Sequence, residues 1–300
     1  KKITLKLKKF VPASGAASRM FKFLLEFITG FDPENESINA YINKNKEKNL
    51  ALFIFAKDKF PFHEALVNTL QTNYPNFDQL SADQKEVAYI KTMLLHPDFD
   101  FSNKPKGILP FHKYPNHVAT PIEEHLQECI AYATSNGKSN LHFTVSEEHV
   151  SGFQKTVNPL IQQLQIEKGV EINVRYSFQN RATDVVAMEH HNKPFREKAE
   201  SIVFRPGGHG ALIENLNKLN SDLVFIKNID NVIQSKINEI ALYKKALAGI
   251  LLQHQETIFN YLKYLEGAQV SNEMLHEIEN FASQKLNCSI SEGFANFTKN

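Results

Sequence analysis

The sequence predicts an α/β fold with a mostly parallel sheet, and two observations lead to it. From about residue 106, short apolar strands alternate with amphipathic helices, and repeated units of this kind build parallel sheets with helices on both faces. Elsewhere, apolar residues recur at helical spacing without intervening strands. We therefore expect an α/β domain over residues 1–235, interrupted by a helical insertion at about 31–103. Residues 236–300 are expected to form a helical appendage, either complete in itself or the start of a longer C-terminal part.

The first strand is predicted at residues 6–13, where it runs into a turn of small residues. Helices are expected at 20–28, at 64–70 and at Ala82–Leu95, because apolar residues recur there at helical spacing. Ser81, three residues before Gln84, is typical of a helix N-terminus.

The second half of the chain carries the alternation. The expected strands lie at 108–111, 140–145, 170–178, 202–204 and 223–227. The expected helices are one that opens at Thr120-Pro121 and runs to about 133, and others at 147–164, 210–219, 237–265 and 272–286.

Composition excludes several classes of protein. A net charge of +1 gives no indication of binding to nucleic acid or to an anionic membrane. No run of about 18 apolar residues is present, so no membrane span is expected. Two distant cysteines, Cys129 and Cys288, are not a disulfide framework. We therefore expect a cytoplasmic protein.

Small residues follow the first strand and precede a helix. Backbone N–H groups of Ser14, Gly15 and Ala16 would point at an anion there, and the helix dipole would favour its charge. Arg19 would add a forked positive charge suited to phosphate. The segment is neither a Walker loop nor a GxGxxG motif, so a tight turn with a surface arginine remains the alternative.

Two further segments combine glycine with a basic side chain. Lys106, beside Gly107, is placed to neutralise a phosphate, although a solvated basic loop would have the same sequence. Pro206-Gly-Gly-His-Gly210 precedes a helix, and its glycines permit a ligand to approach the backbone closely. A plain loop is the alternative for this segment.

A polar segment follows the strand predicted at 223–227. Asn228, Asp230 and Asn231 would lie at the carboxyl edge of the sheet, where α/β proteins bind ligands. A carboxylate at that edge suits a metal ion or a hydroxyl group. The alternative is that Asp230 caps the next helix.

Together and in this order, the segments resemble the sugar-nucleotidyltransferase superfamily. Residues 11–20 are similar to its glycine-rich signature loop, and Lys104-Pro-Lys-Gly107 to its Pro-Lys-Gly step. The segments Pro206–Gly210 and Asn228-Ile-Asp-Asn231 resemble those of UDP-sugar and UDP-glucose pyrophosphorylases. The resemblance covers about residues 5–235 and implies a Rossmann-like nucleotidyltransferase sheet.

The resemblance implies a reaction and its site. A sugar 1-phosphate would attack the α-phosphate of a nucleoside triphosphate, by implication UTP, and release pyrophosphate with the help of Mg²⁺. By the same resemblance, Arg19 and Lys106 would be catalytic, Asp230 would bind the metal, and the nucleotide would contact Ser14, Gly15, Ala16, Gln179, Gly208, His209 and Gly210.

The chain departs from the family pattern in three respects. Ala17 replaces a glycine of the loop, the helical insertion separates the loop from Lys106, and the chain turns helical after residue 232. The first and third departures favour a second hypothesis, a non-catalytic binder of nucleotides or nucleotide sugars. A third, a transferase that uses a preformed nucleotide sugar, lacks its usual Asp-x-Asp motif. The sequence identifies neither the sugar nor the oligomeric state.

Overall fold

The computed structural model describes residues 5–15, 17–189, 191–197, 200–267 and 270–289. Contacts between residues divide the chain into two compact units, Lys1–Ala241 and Leu242–Asn300. Among the described residues, no helix has both the length and the apolar character needed to cross a membrane.

Strands and α-helices are numbered here in chain order. The strands are β1 (Leu7–Pro12), β2 (His112–Lys113), β3 (Val118–Ala119), β4 (Thr134–Ser135), β5 (Lys138–Thr144), β6 (Glu171–Ser177), β7 (Val185–Val186), β8 (Phe204–Arg205) and β9 (Leu223–Ile226). The α-helices are α1 (Lys22–Gly30), α2 (Ile38–Asn45), α3 (Lys48–Ala56), α4 (His63–Asn73), α5 (Ala82–Leu95), α6 (Pro121–Tyr132), α7 (Val150–Lys168), α8 (Ile213–Asn217), α9 (Ile237–Leu265) and α10 (Asn272–Gln284).

The central sheet has the order β6-β5-β1-β9, and these four strands are parallel. β4 pairs with the start of β5 in antiparallel orientation, through a turn in which Asn136 and Gly137 both have positive φ. In the sheet, β5 lies beside β1 and β6 lies beyond β5, whereas β9 lies on the opposite side of β1. The prediction of an α/β fold with a mostly parallel sheet is confirmed.

The two faces of the sheet differ because side chains alternate along each strand. On the first face, Val11, Leu141 and Phe143 pack in one buried cluster with residues of α6 and α7, including Leu126 and Phe153. The second face carries polar side chains on β5 and β6. It is covered at its carboxyl end by α8, whose Asn215 donates to Ser177 Oγ at 2.8 Å. The expected helical cover of both faces is therefore only partly present.

Residues 31–103 hold α2 to α5, which pack with α1 around a core of their own. Phenylalanine dominates this core, and Phe27, Phe53 and Phe101 are among its buried members. α5 begins at the expected residue, because Ser81 Oγ accepts from the Gln84 N–H and the Gln84 side chain accepts from the Ser81 N–H.

Two predicted strands are wrong. Residues 106–108 form a 3₁₀ turn rather than leading into a strand at 108–111, and Pro110 lacks the N–H that a strand there would donate. Near 202–204, the strand is Phe204–Arg205, and it pairs with β7 in a separate antiparallel hairpin. An apolar run by itself did not distinguish a sheet strand from a packed loop.

The second unit contains most of α9, from Leu242 onward, and α10. Tyr261 and Phe281 pack edge to face, with ring centroids 5.4 Å apart, and Tyr261 donates to Glu277 Oε1 at 2.9 Å. Ser271 caps α10 by accepting from the Met274 N–H.

Candidate functional site

A cleft of about 190 Å³ lies at the carboxyl ends of β1 and β9. The chain order of the sheet reverses between these two strands, and ligands of open α/β sheets bind at such a position. The side chains and backbone that line the cleft belong to Pro12, Ser14, Gly15, Lys106, His209, Asn228, Ile229 and Asp230.

One wall of the cleft is made by the two places where the chain crosses between the sheet and the helical insertion. The Lys106 N–H donates to the Gly15 carbonyl at 3.4 Å, and the Ala17 N–H donates to the Lys104 carbonyl at 3.3 Å. The insertion therefore returns beside its point of departure, and Lys106 lies next to Gly15 despite the long segment between them. A Cβ on Gly107 would lie 2.8 Å from Phe153 Cζ, so packing requires this glycine.

Lys106 and Asp230 form an ion pair across the cleft, with 2.7 Å between Nζ and Oδ2. The hydrogen bond from Lys106 has the largest effect on the Asp230 carboxyl and, with lesser contributions from the charges of Lys106 and His209, holds its pKa below the usual value although burial raises it. Asp230 lies well before α9, which begins at Ile237, so it does not cap that helix. A cation and a carboxylate thus face each other in the cleft.

The glycine segment contributes His209, which begins a 3₁₀ turn at His209–Leu212. Gly208 has an ordinary φ of −69°, and a Cβ on Gly208 or Gly210 would meet no atom within 4 Å. Gly207 differs, since its Cβ would lie 2.7 Å from the Thr183 carbonyl oxygen. The fold requires Gly207 alone of these three, and the space beside the other two is open.

Of the other predicted residues that the structure describes, Gly208, Gly210, Gln179 and Arg19 lie outside the lining of this cleft. The Gln179 amide, oriented to satisfy its neighbours, accepts from the Gly207 N–H at 2.7 Å and donates to the Gly207 carbonyl at 3.3 Å. It therefore holds the glycine segment in place. Arg19 is exposed at the end of the 3₁₀ turn Ala17–Arg19. Ala16 lies outside the described residues.

Sequence reasoning missed a buried charge network beneath the cleft. Glu128 of α6 accepts from Lys9 of β1 at 2.7 Å and from Lys227, just after β9, at 2.5 Å. Tyr132 donates to the same carboxylate at 3.0 Å. Burial lowers the pKa of Lys9 to about 8, against the charge of Glu128, which raises it. The network fastens α6 to both strands that form the cleft.

His125 extends this support to the polar segment itself. It is fully buried, and its Nε2 donates to the Ile229 carbonyl at 3.1 Å. Burial, and then the charge of Lys9, hold the pKa of His125 well below its usual value, so the ring is neutral at pH 7. The available sequence signal was a lysine inside an apolar strand, because a buried lysine needs a partner.

The cleft has oxygen donors for a hard cation but no preformed cage. Within the described ranges, no group of three or more His, Cys, Asp or Glu side chains is arranged to hold a metal ion. Mg²⁺ commonly uses one or two carboxylates together with substrate phosphates and water. Asp230 and the Asn228 amide suit an ion of that kind, which would arrive with a phosphate ligand.

The chain belongs to the DUF4301 family, described as a domain of unknown function, whose family model matches residues 1–300. No curated protein and no solved structure matches the chain.

Proposed function

We propose that this member of the DUF4301 family is a Mg²⁺-dependent nucleotidyltransferase that joins a sugar 1-phosphate to a nucleoside triphosphate, UTP by the sequence resemblance, and releases pyrophosphate. The fold would then be a Rossmann-like nucleotidyltransferase sheet. The strand order β6-β5-β1-β9 supports this, because it corresponds to the order 3-2-1-4 of nucleotide-binding α/β sheets.

One observation carries the proposal. Ser14 and Gly15, Lys106, His209 and Asp230 come from four separate segments, and all of them line the cleft where the strand order reverses. Each segment was singled out in the sequence for phosphate, nucleoside or metal chemistry. Their convergence on one small cleft at a ligand-binding position is the outcome that a nucleotide site requires.

The charged residues would contact phosphate and metal, and the glycines would leave space for the ligand. Lys106 would neutralise charge on the reacting phosphate, and Asp230 would hold Mg²⁺, whose chemistry is to bridge and neutralise phosphate oxygens. Gly15 and the open backbone at Gly208 and Gly210 would let phosphate and nucleoside approach the main chain. The pair between Lys106 and Asp230 would open as the ligand enters. An exposed pair of this kind costs only about 0–1 kcal/mol to break.

Arg19 does not line the cleft, so a role in binding the triphosphate would require its side chain to move. Arg19 is exposed and follows Ser14 and Gly15 closely in the chain, and its guanidinium would turn toward a bound triphosphate. Arg19→Ala should weaken nucleotide binding by about 1.5–3 kcal/mol, the scale of a hydrogen bond to a charged group.

The test incubates the protein with UTP, Mg²⁺ and each of a panel of sugar 1-phosphates. The pyrophosphate released from UTP is measured by an enzyme-coupled phosphate assay. Product should form with at least one sugar and should require metal. Replacing UTP with ATP, CTP or GTP establishes the base. Absence of pyrophosphate with every pair, in a preparation that binds UTP by calorimetry, would reject catalysis and retain binding.

A non-catalytic nucleotide-binding protein is the second candidate, and Ala17 favours it. The Ala17 side chain is fully buried, and its N–H is already bonded to Lys104. A backbone donor that a glycine loop would offer to phosphate is therefore engaged within the protein. This candidate predicts UTP or UDP-sugar affinity without turnover, so binding and pyrophosphate release measured on one sample separate the two.

A further inference from the structure

The second face of the sheet holds a groove of about 740 Å³ that shares no lining residue with the cleft. Its floor is formed by β1, β5 and β6, mainly by their amino-terminal halves, and its rim includes residues 218–221 ahead of β9. It lies where helices were expected to cover the sheet. We refer to it as the basic groove.

Positive charge dominates the basic groove. Five cationic side chains line it, and Glu171 is the one carboxylate among its lining residues. Glu171 is paired with Lys138 at 2.8 Å. The other four form no ion pair within the described part of the chain, and they are Lys6, Lys8, Arg175 and Lys218. Because the whole chain carries a net charge of only +1, this is a local concentration of charge that attracts anions.

Lys8 of β1 and Arg175 of β6 both line the groove, and their like charges repel each other. Burial, and then repulsion from Arg175, lower the pKa of the Lys8 ammonium. His142 of β5 lies between their strands, level with Arg175 in the sheet. Like charges that repel without a counter-charge lower the stability of the fold. An anion between Lys8 and Arg175 would remove that repulsion.

His142 provides a second, independent indication of a ligand. Only 8% of the residue is exposed, and it lines the groove. Its Nε2 is hydrogen-bonded to Ser177 Oγ at 2.8 Å, whereas its buried Nδ1 has no partner among the described residues. The Oγ of Ser221, also on the lining, is buried without a partner in the same part of the chain. Unpartnered buried polar atoms are rare, and a polar ligand would satisfy these two if the side chains turned toward the groove that their residues line.

We propose that the basic groove binds a small organic anion with at least two phosphate groups, at a site separate from the cleft. Four unpaired cations match the charge of two phosphates, and lysine and arginine are the side chains best suited to them. The amides of Asn140 and Asn173 each donate once within the protein, to the Leu7 carbonyl and to Glu171, and their oxygens would accept from hydroxyl groups of such a molecule. The groove is concave and has the volume of a small-molecule site, whereas a nucleic acid or a membrane would meet a broad surface.

The test uses the full chain and hexose 1,6-bisphosphate as the probe, measured by titration calorimetry at physiological ionic strength. Arg175→Gln and Lys8→Gln should each weaken binding at least tenfold. Lys155→Gln is the matched control, because Lys155 is exposed on α7, away from the groove, and its loss should leave affinity unchanged. Asp230→Asn, in the cleft, should also leave it unchanged.

Two further measurements show whether a loss of binding comes from misfolding and whether the ligand binds in the groove rather than in the cleft. Arg175→Gln should keep or raise the thermal midpoint without ligand, because it removes repulsion with Lys8. The imidazole NMR signals of His142 should shift when the bisphosphate binds. The proposal is overturned if the wild-type chain does not bind the bisphosphate at millimolar concentration, if Lys155→Gln weakens binding equally, or if Asp230→Asn abolishes it. Binding of RNA or anionic vesicles in place of the bisphosphate would also overturn it.

Discussion

Asp230 meets Lys106 in the cleft, and this contact allows a functional role to be separated from a structural one. Asp230→Asn should abolish metal-dependent nucleotide binding, because it removes the carboxylate proposed to hold Mg²⁺. Stability should change by no more than about 1 kcal/mol, since the pair is partly exposed. Asp222→Asn, the same substitution at the other end of β9, is the control and should retain binding. Calorimetry with UTP and Mg²⁺, beside a urea titration, measures both quantities.

If Asp230→Asn binds UTP and Mg²⁺ as tightly as the wild type, Asp230 does not hold the metal. A large loss of stability in the absence of ligand would mean instead that its role is to anchor Lys106 and the loop around it.

Neighbouring glycines offer a sharper contrast. Gly208→Val should leave the thermal midpoint nearly unchanged, because the backbone φ is −69° and its Cβ meets no atom within 4 Å. It should lower nucleotide affinity at least tenfold by filling the space proposed for the nucleoside. Gly207→Ala is the matched variant, and it should destabilise the fold by about 1–3 kcal/mol through overlap with Thr183.

UTP affinity and midpoint are measured on the same samples of both variants. Unchanged affinity in Gly208→Val would remove the strongest support for a nucleoside at this segment. A lowered midpoint in that variant would show that the open space is needed by the fold.

At the scale of elements, α6 depends on the buried network that joins it to β1 and β9. Glu128→Gln should cost about 3–5 kcal/mol of folding free energy, because it leaves Lys9 buried without a counter-charge. The double variant Lys9→Met with Glu128→Leu should be more stable than Glu128→Gln, since apolar replacement of a buried pair is often nearly neutral. Urea unfolding compares them. A loss below about 1 kcal/mol in Glu128→Gln would show that the network contributes little.

The elements also show what sequence reasoning can reach. The bounds of α5 and α9 coincide with those expected, because caps and helical periodicity are local signals. The parallel strands were also recognised from a local signal, the short apolar runs that alternate with helices. The strand at 108–111 was wrong because these apolar residues lie on a loop, and they pack against clusters whose other members are distant in the sequence.

The lining of the candidate cleft was predictable where a residue belongs to a local motif, and unpredictable where it depends on long-range contacts. Ser14, Gly15, Lys106, His209 and Asp230 were selected one segment at a time, and only the structure shows that they share a cleft. The engagement of Gln179 by Gly207 and the network of Glu128 were not foreseen. Both join residues whose distance in the chain hides their contact.

At the scale of the whole molecule, two buried histidines predict loss of stability in acid. Burial, and then the charges of Lys8 and Arg175, lower the pKa of His142 to about 4, and His125 is also held well below 6.5. Folding therefore favours the neutral rings, and this contribution is present above pH 6.5 and is lost as the pH falls toward the folded-state pKa. His142 alone should account for about 2 kcal/mol between pH 7 and pH 5.

Urea unfolding at several pH values tests this prediction, with His142→Gln as the comparison. The variant should lose less stability between pH 7 and pH 5 than the wild type does. Equal pH dependence in the two proteins would show that His142 titrates normally in the folded chain.

β9 pairs with β1 although it lies more than 200 residues further along the chain. The cleft between them can therefore form only late in the synthesis of the chain. Until residue 226 has left the ribosome, β1 has an unpaired edge, and the cleft lacks Asn228 and Asp230. An unpaired strand edge invites pairing with other chains. Contacts between such distant parts of a chain are also slow to form. Nascent chains arrested before and after β9 emerges should therefore differ in aggregation, and a nucleotide that binds the cleft would stabilise only the later ones.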